Sequence, residues 1–167
     1  VIYCHGYVEP GGPPEVPEDE FCFGGLCVYE IFHSMGYAFA ATSYATHGIA
    51  VREGVDDVVE LVDIFAEFYG QPNRGYLVGF SEGAQIATLW AERRPDLITA
   101  AVAACGPIGD WRMQINYLGD FRLLFDAFFP GLIPGDPLNI DPAFIEGWDA
   151  YWETVIWPEL LKPGNRW

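Results

Sequence analysis

The chain has 167 residues, 51% of them hydrophobic, enough for one domain with a sizeable core. Its 24 acidic and 8 basic residues give a formal charge of −16, which argues against nucleic acid and anionic membrane surfaces as partners. No apolar run is long enough to span a bilayer, and a first residue that is Val, inside an apolar run, suggests a chain truncated at its front.

In chain order, Val1-Ile2-Tyr3-Cys4 predicts a buried strand closed by His5-Gly6-Tyr7. Residues 8–25 are dense in Pro, Gly and Glu and predict a loop without regular structure. Leu26 to Met35 predicts a helix with Leu26, Cys27, Ile31, Phe32 and Met35 near one face and Gly36 as its stop. Tyr37 to Tyr44 predicts a second strand. Gly54 to Tyr69 is the clearest amphipathic helix: Val55, Val58, Val59, Val62, Phe65 and Tyr69 share one side, and acidic residues crowd the other. Tyr76 to Phe80 predicts a third strand, followed by a helix that ends at Arg93-Arg94 before Pro95. Leu97 to Cys105 predicts a fourth strand, rich in Ala, ending at Gly106-Pro107.

Continuously apolar strands alternating with helices indicate an α/β fold, a parallel sheet covered by helices on both faces. After Gly106 the rhythm stops. Trp111 to Phe129 and Pro142 to Ile156 predict two aromatic and acidic helices, the second with Asp141 as N-cap and Pro142 at its first position. A breaker-rich turn over residues 130–135 separates them. The division expected is a core over residues 1–109 and a helical segment over residues 110–167.

The chemistry-bearing stretch is Gly79-Phe80-Ser81-Glu82-Gly83, set between the third strand and its helix. A G-x-S-x-G pattern in a strand–turn–helix context predicts a nucleophile elbow. The sharp turn strains the serine backbone and lifts its hydroxyl above the strand end, so the residues two before and two after must lack side chains. The competing reading is a glycine turn in a non-catalytic α/β protein. The four cysteines show no metal spacing. Cys4 and Cys105 lie in apolar runs and are expected as buried thiols. Cys22 and Cys27 would pair only in an oxidising compartment, and unpaired thiols are the preferred reading.

These motifs resemble the α/β-hydrolase superfamily of serine esterases, lipases and prolyl-oligopeptidase-like peptidases. Over roughly residues 1–107, Val1 to Gly6 matches the third family strand with its His-Gly oxyanion loop. Tyr37 to Tyr44, Tyr76 to Phe80 and Leu97 to Cys105 match the fourth, fifth and sixth. The resemblance implies a spatial strand order of fourth, third, fifth, sixth, and a helical cap over residues 110–167. It leans toward bacterial secreted or periplasmic ester hydrolases.

The resemblance further implies that Ser81 is the nucleophile, attacking a carbonyl to form an acyl-enzyme. The backbone N–H groups of Glu82 and Tyr7 correspond to the oxyanion donors. His5, Gly6, Gly79 and Gly83 support the elbow and the oxyanion loop, and the Glu82 side chain needs no role. No metal and no cofactor is implied. The expected partner is a small-molecule ester with an apolar or aromatic acyl group, the aromatic residues of 111–157 suggesting an apolar pocket. A peptidase of the same fold and a non-catalytic binding member without a complete triad are the alternatives.

The family places Asp or Glu and then His after the serine, whereas His5, His33 and His47 all precede Ser81. The expectation is therefore that the chain stops before the strands that carry acid and base. Asp110, with Asp120, Asp126 and Asp136 equally available, is a minor candidate for the acid. His47 is expected in a solvated loop and His33 on a helix surface.

Overall fold

A computed structural model describes residues 1–165; Arg166 and Trp167, the last two residues of the expected cap-like segment, lie outside the described residues. Residue contacts divide the chain into one unit spanning Val1–Ile108 and a second beginning at Gly109.

The first unit contains strands β1 (Ile2–Cys4), β2 (Cys22–Phe23), β3 (Leu26–Cys27), β4 (Ala40–Ala41), β5 (Tyr76–Phe80) and β6 (Ala100–Ala104). Its helices are α1 (Val28–Ser34), α2 (Val51–Tyr69) and α3 (Glu82–Arg93). Four strands form a parallel sheet in the order β4-β1-β5-β6, which is the order expected. The two apolar strands β1 and β5 pair at its centre, and Tyr3, Cys4 and Leu77 are buried there. Val55 and Val58 of α2 close over the buried Ile86, Ala87 and Trp90 of α3. The two helices approach closely at Gly54, where an added Cβ would lie 2.5 Å from Ile86 Cδ1. Tyr69, placed on the buried side by periodicity, is exposed because it sits in the last turn.

Several expected boundaries move. The Tyr37–Tyr44 strand shrinks to Ala40–Ala41, its two pairs to β1 being Ile2–Ala40 and Tyr3–Ala41. Tyr37 N–H is held by Phe32 O (3.0 Å), and Tyr44 turns the chain away at φ 56°. The loop over residues 8–25 is partly ordered: a 3₁₀ turn (Glu18–Phe21) leads into the antiparallel β2–β3 pair. Leu26 and Cys27 belong to that pair rather than to the helix, and Cys22 and Cys27 form a disulfide, correcting the expectation of unpaired thiols. The sheet is not covered on both faces throughout. β6 is largely exposed, with Val102 57% accessible, and Cys105, expected as a buried thiol, is exposed in a left-handed turn at φ 57°.

In the second unit, α4 (Trp111–Phe128) starts at Asp110, whose side chain accepts the Arg112 and Met113 N–H groups. The expected single helix from Pro142 to Ile156 is broken into α5 (Pro142–Glu146), α6 (Trp148–Tyr151), a π-turn over Trp152–Ile156 and α7 (Trp157–Leu160). Gly147, at φ −90° and ψ 4°, makes the first break. Pro158 accounts for the second: it has no N–H to continue the ladder, and the preceding Trp157 N–H reaches the wider-spaced Trp152 O. Arg122 pairs with Asp126 at 2.9 Å and donates to Ile133 O, fastening the 130–135 turn to α4. A groove of about 930 Å³ runs past Leu118, Leu123, Ile133, Phe144 and Trp148. Among the described residues no helix is long and apolar enough to cross a membrane.

The α2–α3 contact predicts a sharp contrast in stability. Ile86→Ala, at a fully buried site, should cost about 2–5 kcal/mol in urea unfolding, whereas Tyr69→Ala should stay within about 0.5 kcal/mol.

Candidate functional site

The turn between β5 and α3 depends on how tightly its backbone is packed. Ser81 sits at φ 53° and ψ −121°, a conformation that a residue with a Cβ rarely adopts. An added Cβ on Gly79 would lie 2.1 Å from Gly83 O, and one on Gly83 would lie 1.9 Å from Cys4 O. Both glycines are therefore obligatory: the turn folds β5 back onto α3, and α3 in turn presses its first turn against the end of β1. Ser81 N–H donates to Ala104 O at 3.0 Å, tying the strained peptide to β6. The Ser81 residue itself is exposed, and no side chain among the described residues hydrogen-bonds its hydroxyl.

The His5-Gly6-Tyr7 loop ends β1, the neighbouring strand. A Cβ on Gly6 would stand 3.6 Å from Ser81 Cβ, so the two turns lie side by side. Gly6 is not forced by a clash, since that contact is ordinary; a side chain there would instead fill the space beside the serine. Among the described residues no acceptor takes the Tyr7 N–H. The Glu82 N–H opens α3 and has no acceptor within the helix.

His5 is buried and structural. Its Nδ1 lies 2.8 Å from Gly6 O, and because a carbonyl only accepts, Nδ1 carries the proton. Its ring stacks on Tyr44 at 3.9 Å, and the Tyr44 hydroxyl donates to His5 O at 3.1 Å. Nε2 is buried with no hydrogen-bond partner among the described residues. Burial lowers the pKa of His5 from its ordinary 6.5, against the opposing pull of the Gly6 carbonyl and the Glu20 charge.

The Glu82 side chain, expected to need no role, has one. It is 6% exposed and its Oε1 accepts the Ala50 N–H at the start of α2. Burial raises its pKa and the Ala50 N–H opposes the shift. The residue after the serine thus docks α2 onto the elbow, while its own N–H stays available. Sequence periodicity has no signal for this contact, because Ala50 lies 32 residues away.

The remaining candidates disperse. His33 is exposed beside Tyr29, with ring centroids 6.3 Å apart. His47, expected in solvent, is half-buried; its Nε2 accepts the Glu15 N–H in a long contact of 3.4 Å. Asp110 is occupied as the α4 cap, Asp126 by Arg122, and Asp136 by the Leu138 N–H. Cys4 is no nucleophile: burial pushes its thiol up to about 12. Among the described residues no cluster of three His, Cys, Asp or Glu side chains could hold a metal ion. A cavity of about 320 Å³ between Val1, Tyr37, Phe65 and Arg74 lies at the amino-terminal ends of the strands, opposite to Ser81.

Comparison with protein-family models, with curated proteins and with solved structures finds no match to this chain.

Two outcomes follow from the geometry. Ser81→Gly should relieve backbone strain and raise stability by about 1 kcal/mol, whereas Gly83→Ala should lower it by about 3 kcal/mol or more, both read by denaturant unfolding. His5 sets a pH dependence. Its folded pKa is below the unfolded 6.5, so the unfolded chain binds the proton more readily. Stability from this group is fully present well above pH 6.5 and is lost as the pH falls below it, through the lowered folded pKa. Unfolding measured across that window should show a shallower decline in His5→Gln than in wild type.

Proposed function

We propose that this protein is a serine hydrolase of the α/β-hydrolase type that cleaves a carboxylic ester through an acyl-enzyme on Ser81. The observation that carries the reading is the Ser81 conformation: an exposed serine at φ 53° and ψ −121°, between a central parallel strand and a helix, flanked by two glycines that admit no Cβ. Backbone strain of this kind clusters at active sites, where it is part of the mechanism.

The proposed chemistry uses the backbone as much as the side chains. Ser81 Oγ attacks the ester carbonyl carbon while a general base takes its proton. The carbonyl oxygen becomes an oxyanion and is met by the N–H groups of Glu82 and Tyr7. Collapse of the tetrahedral intermediate expels the alcohol, and water then releases the acid from Ser81 by the same route. His5 does not serve as the base in this scheme: its free Nε2 is buried and makes no bond to the Ser81 hydroxyl, and its ring is held in place by Gly6 O and the Tyr44 stack. The base has to come from outside the groups described around Ser81. A small-molecule ester with an apolar or aromatic acyl group is the proposed substrate. The Cys22–Cys27 disulfide fits a secreted or periplasmic setting.

A fluorophosphonate probe tests the reading. The intact protein should be labelled at Ser81, located by peptide mass spectrometry, and Ser81→Ala should abolish both labelling and hydrolysis of p-nitrophenyl butyrate. Labelling at a different serine, or turnover that survives Ser81→Ala, would refute it.

A further inference from the structure

The stretch over residues 8–25 looks like a featureless loop, yet it delivers one carboxylate to the side of Ser81. Glu20 Oε2 accepts the Gly6 N–H at 2.9 Å. The same oxygen lies 3.5 Å from the point where a Gly6 Cβ would be, and Ser81 Cβ lies 3.6 Å from that point. Glu20 is held in place on both sides. Phe21 is buried, with its ring edge-on to Tyr3 at 5.3 Å and to Phe39 at 5.3 Å. The Tyr3 hydroxyl contacts Glu20 O at 3.4 Å. The 3₁₀ turn folds on itself through Glu20 N–H to Pro17 O, and the disulfide-closed β2–β3 hairpin begins at the residue after Phe21.

We propose that Glu20 is a positioning residue for the reaction at Ser81: its carboxylate, seated by Phe21 and the Cys22–Cys27 hairpin, fixes the His5–Gly6 peptide and so limits how Gly6 can rotate the next peptide, whose Tyr7 N–H is one of the two oxyanion donors. This rests on the hydrolase reading of Ser81. Gly6 is free of a side chain, and His5 Nδ1 holds the Gly6–Tyr7 peptide at Gly6 O (2.8 Å), so Glu20 and His5 grip the two peptides that flank Gly6. A carboxylate on the Gly6 N–H holds the preceding peptide through a charge-assisted bond, stronger than a neutral one, and leaves the Tyr7 N–H less freedom to swing about the Gly6 Cα. Oxyanion donors act only when held in advance at the position where charge develops. Loosening the peptide therefore lowers turnover without changing how the ester binds in its ground state.

The test compares wild type, Glu20→Ala and Glu20→Gln in the intact protein, with p-nitrophenyl butyrate as substrate. Glu20→Ala should lower kcat about 10- to 100-fold with KM changed by less than about threefold, since a displaced donor should cost less than the roughly 10²–10³ of a deleted one. Glu20→Gln keeps a carbonyl oxygen for the Gly6 N–H and should recover most of the loss. Amide hydrogen exchange on the same proteins should find Gly6 protected in wild type and in Glu20→Gln, and at least about tenfold faster in Glu20→Ala. Turnover that depends on Ser81 but is unchanged in Glu20→Ala would overturn this inference and leave the hydrolase reading standing. Turnover independent of Ser81, or none at all, would overturn the hydrolase reading and the catalytic role of Glu20 with it. A Gly6 amide that exchanges freely in wild type would overturn the clamp whatever the kinetics, including when Glu20→Ala fails to fold.

Discussion

Gly83 leaves no room for a β-carbon: one placed there would lie 1.9 Å from Cys4 O and 2.5 Å from His5 O. The first turn of α3 therefore lies in backbone contact with the end of β1. Everything around the site follows from that approach. With α3 pressed down at this point, β5 must reverse within a single residue, which puts Ser81 into its strained conformation and forbids a side chain at Gly79 as well. The neighbouring Glu82 is then buried and reaches the Ala50 N–H, which sets where α2 begins. Gly54, one turn further along α2, lets that helix settle onto Ile86. A chain of close backbone approaches thus connects β1 to α3 and α3 to α2.

The strain is not scattered. Among the described residues, three non-glycine residues have positive φ: Tyr44 at 56°, Ser81 at 53° and Cys105 at 57°. They follow β4, β5 and β6 respectively, so all three stand at the carboxyl ends of strands in one parallel sheet. Open α/β sheets bind their ligands at this end, and backbone strain of about 1–3 kcal/mol per residue persists only where surrounding structure enforces it. Tyr44 is enforced by its stack on His5 and its bond to His5 O, and Ser81 by the glycines and by Ala104 O. Cys105 lies beside Gly106, whose own Cβ would come 2.6 Å from Ala84 Cβ. Stability is given up along one rim of the sheet and recovered in the α2–α3 core below it.

What the sequence makes visible is what period and glycine encode. Continuous apolar runs mark β1 and β5, the 3.6-residue rhythm marks α2 and α3, and the spacing of Gly79 and Gly83 marks the elbow, because each depends on residues close in the chain. The misses share a different cause. Tyr37–Tyr44 carries enough apolar residues for a full strand, but the length of an edge strand is set by its partner, and β1 offers only three residues. The exposure of β6 follows from which elements lie beside it, and its alanines read alike buried or bare. The break inside the Pro142–Ile156 stretch is marked by Gly147, a poor helix former, and Pro158 just beyond it accounts for the widened last turn. The Cys22–Cys27 bond was legible only as a possibility, since five residues of spacing permit a hairpin and do not require one.

The site itself divides along the same line. Its backbone parts, the elbow and the two N–H groups of Tyr7 and Glu82, are set by glycines within a few residues. Its side-chain parts come from far along the chain: Glu20 reaches Gly6 across 14 residues, Glu82 reaches Ala50 across 32, and Tyr44 reaches His5 across 39. None of these carries a local signature, and each ends on a backbone N–H or C=O rather than on another side chain. The polar groups around Ser81 are thus spent on holding peptides still. That explains why His5, the histidine nearest in the fold, is unsuited to proton transfer: an imidazole that anchors the loop through Nδ1 and stacks on Tyr44 cannot also turn toward the serine. A rigid loop and a mobile proton carrier make opposite demands on a side chain, and the contacts of His5 serve the loop.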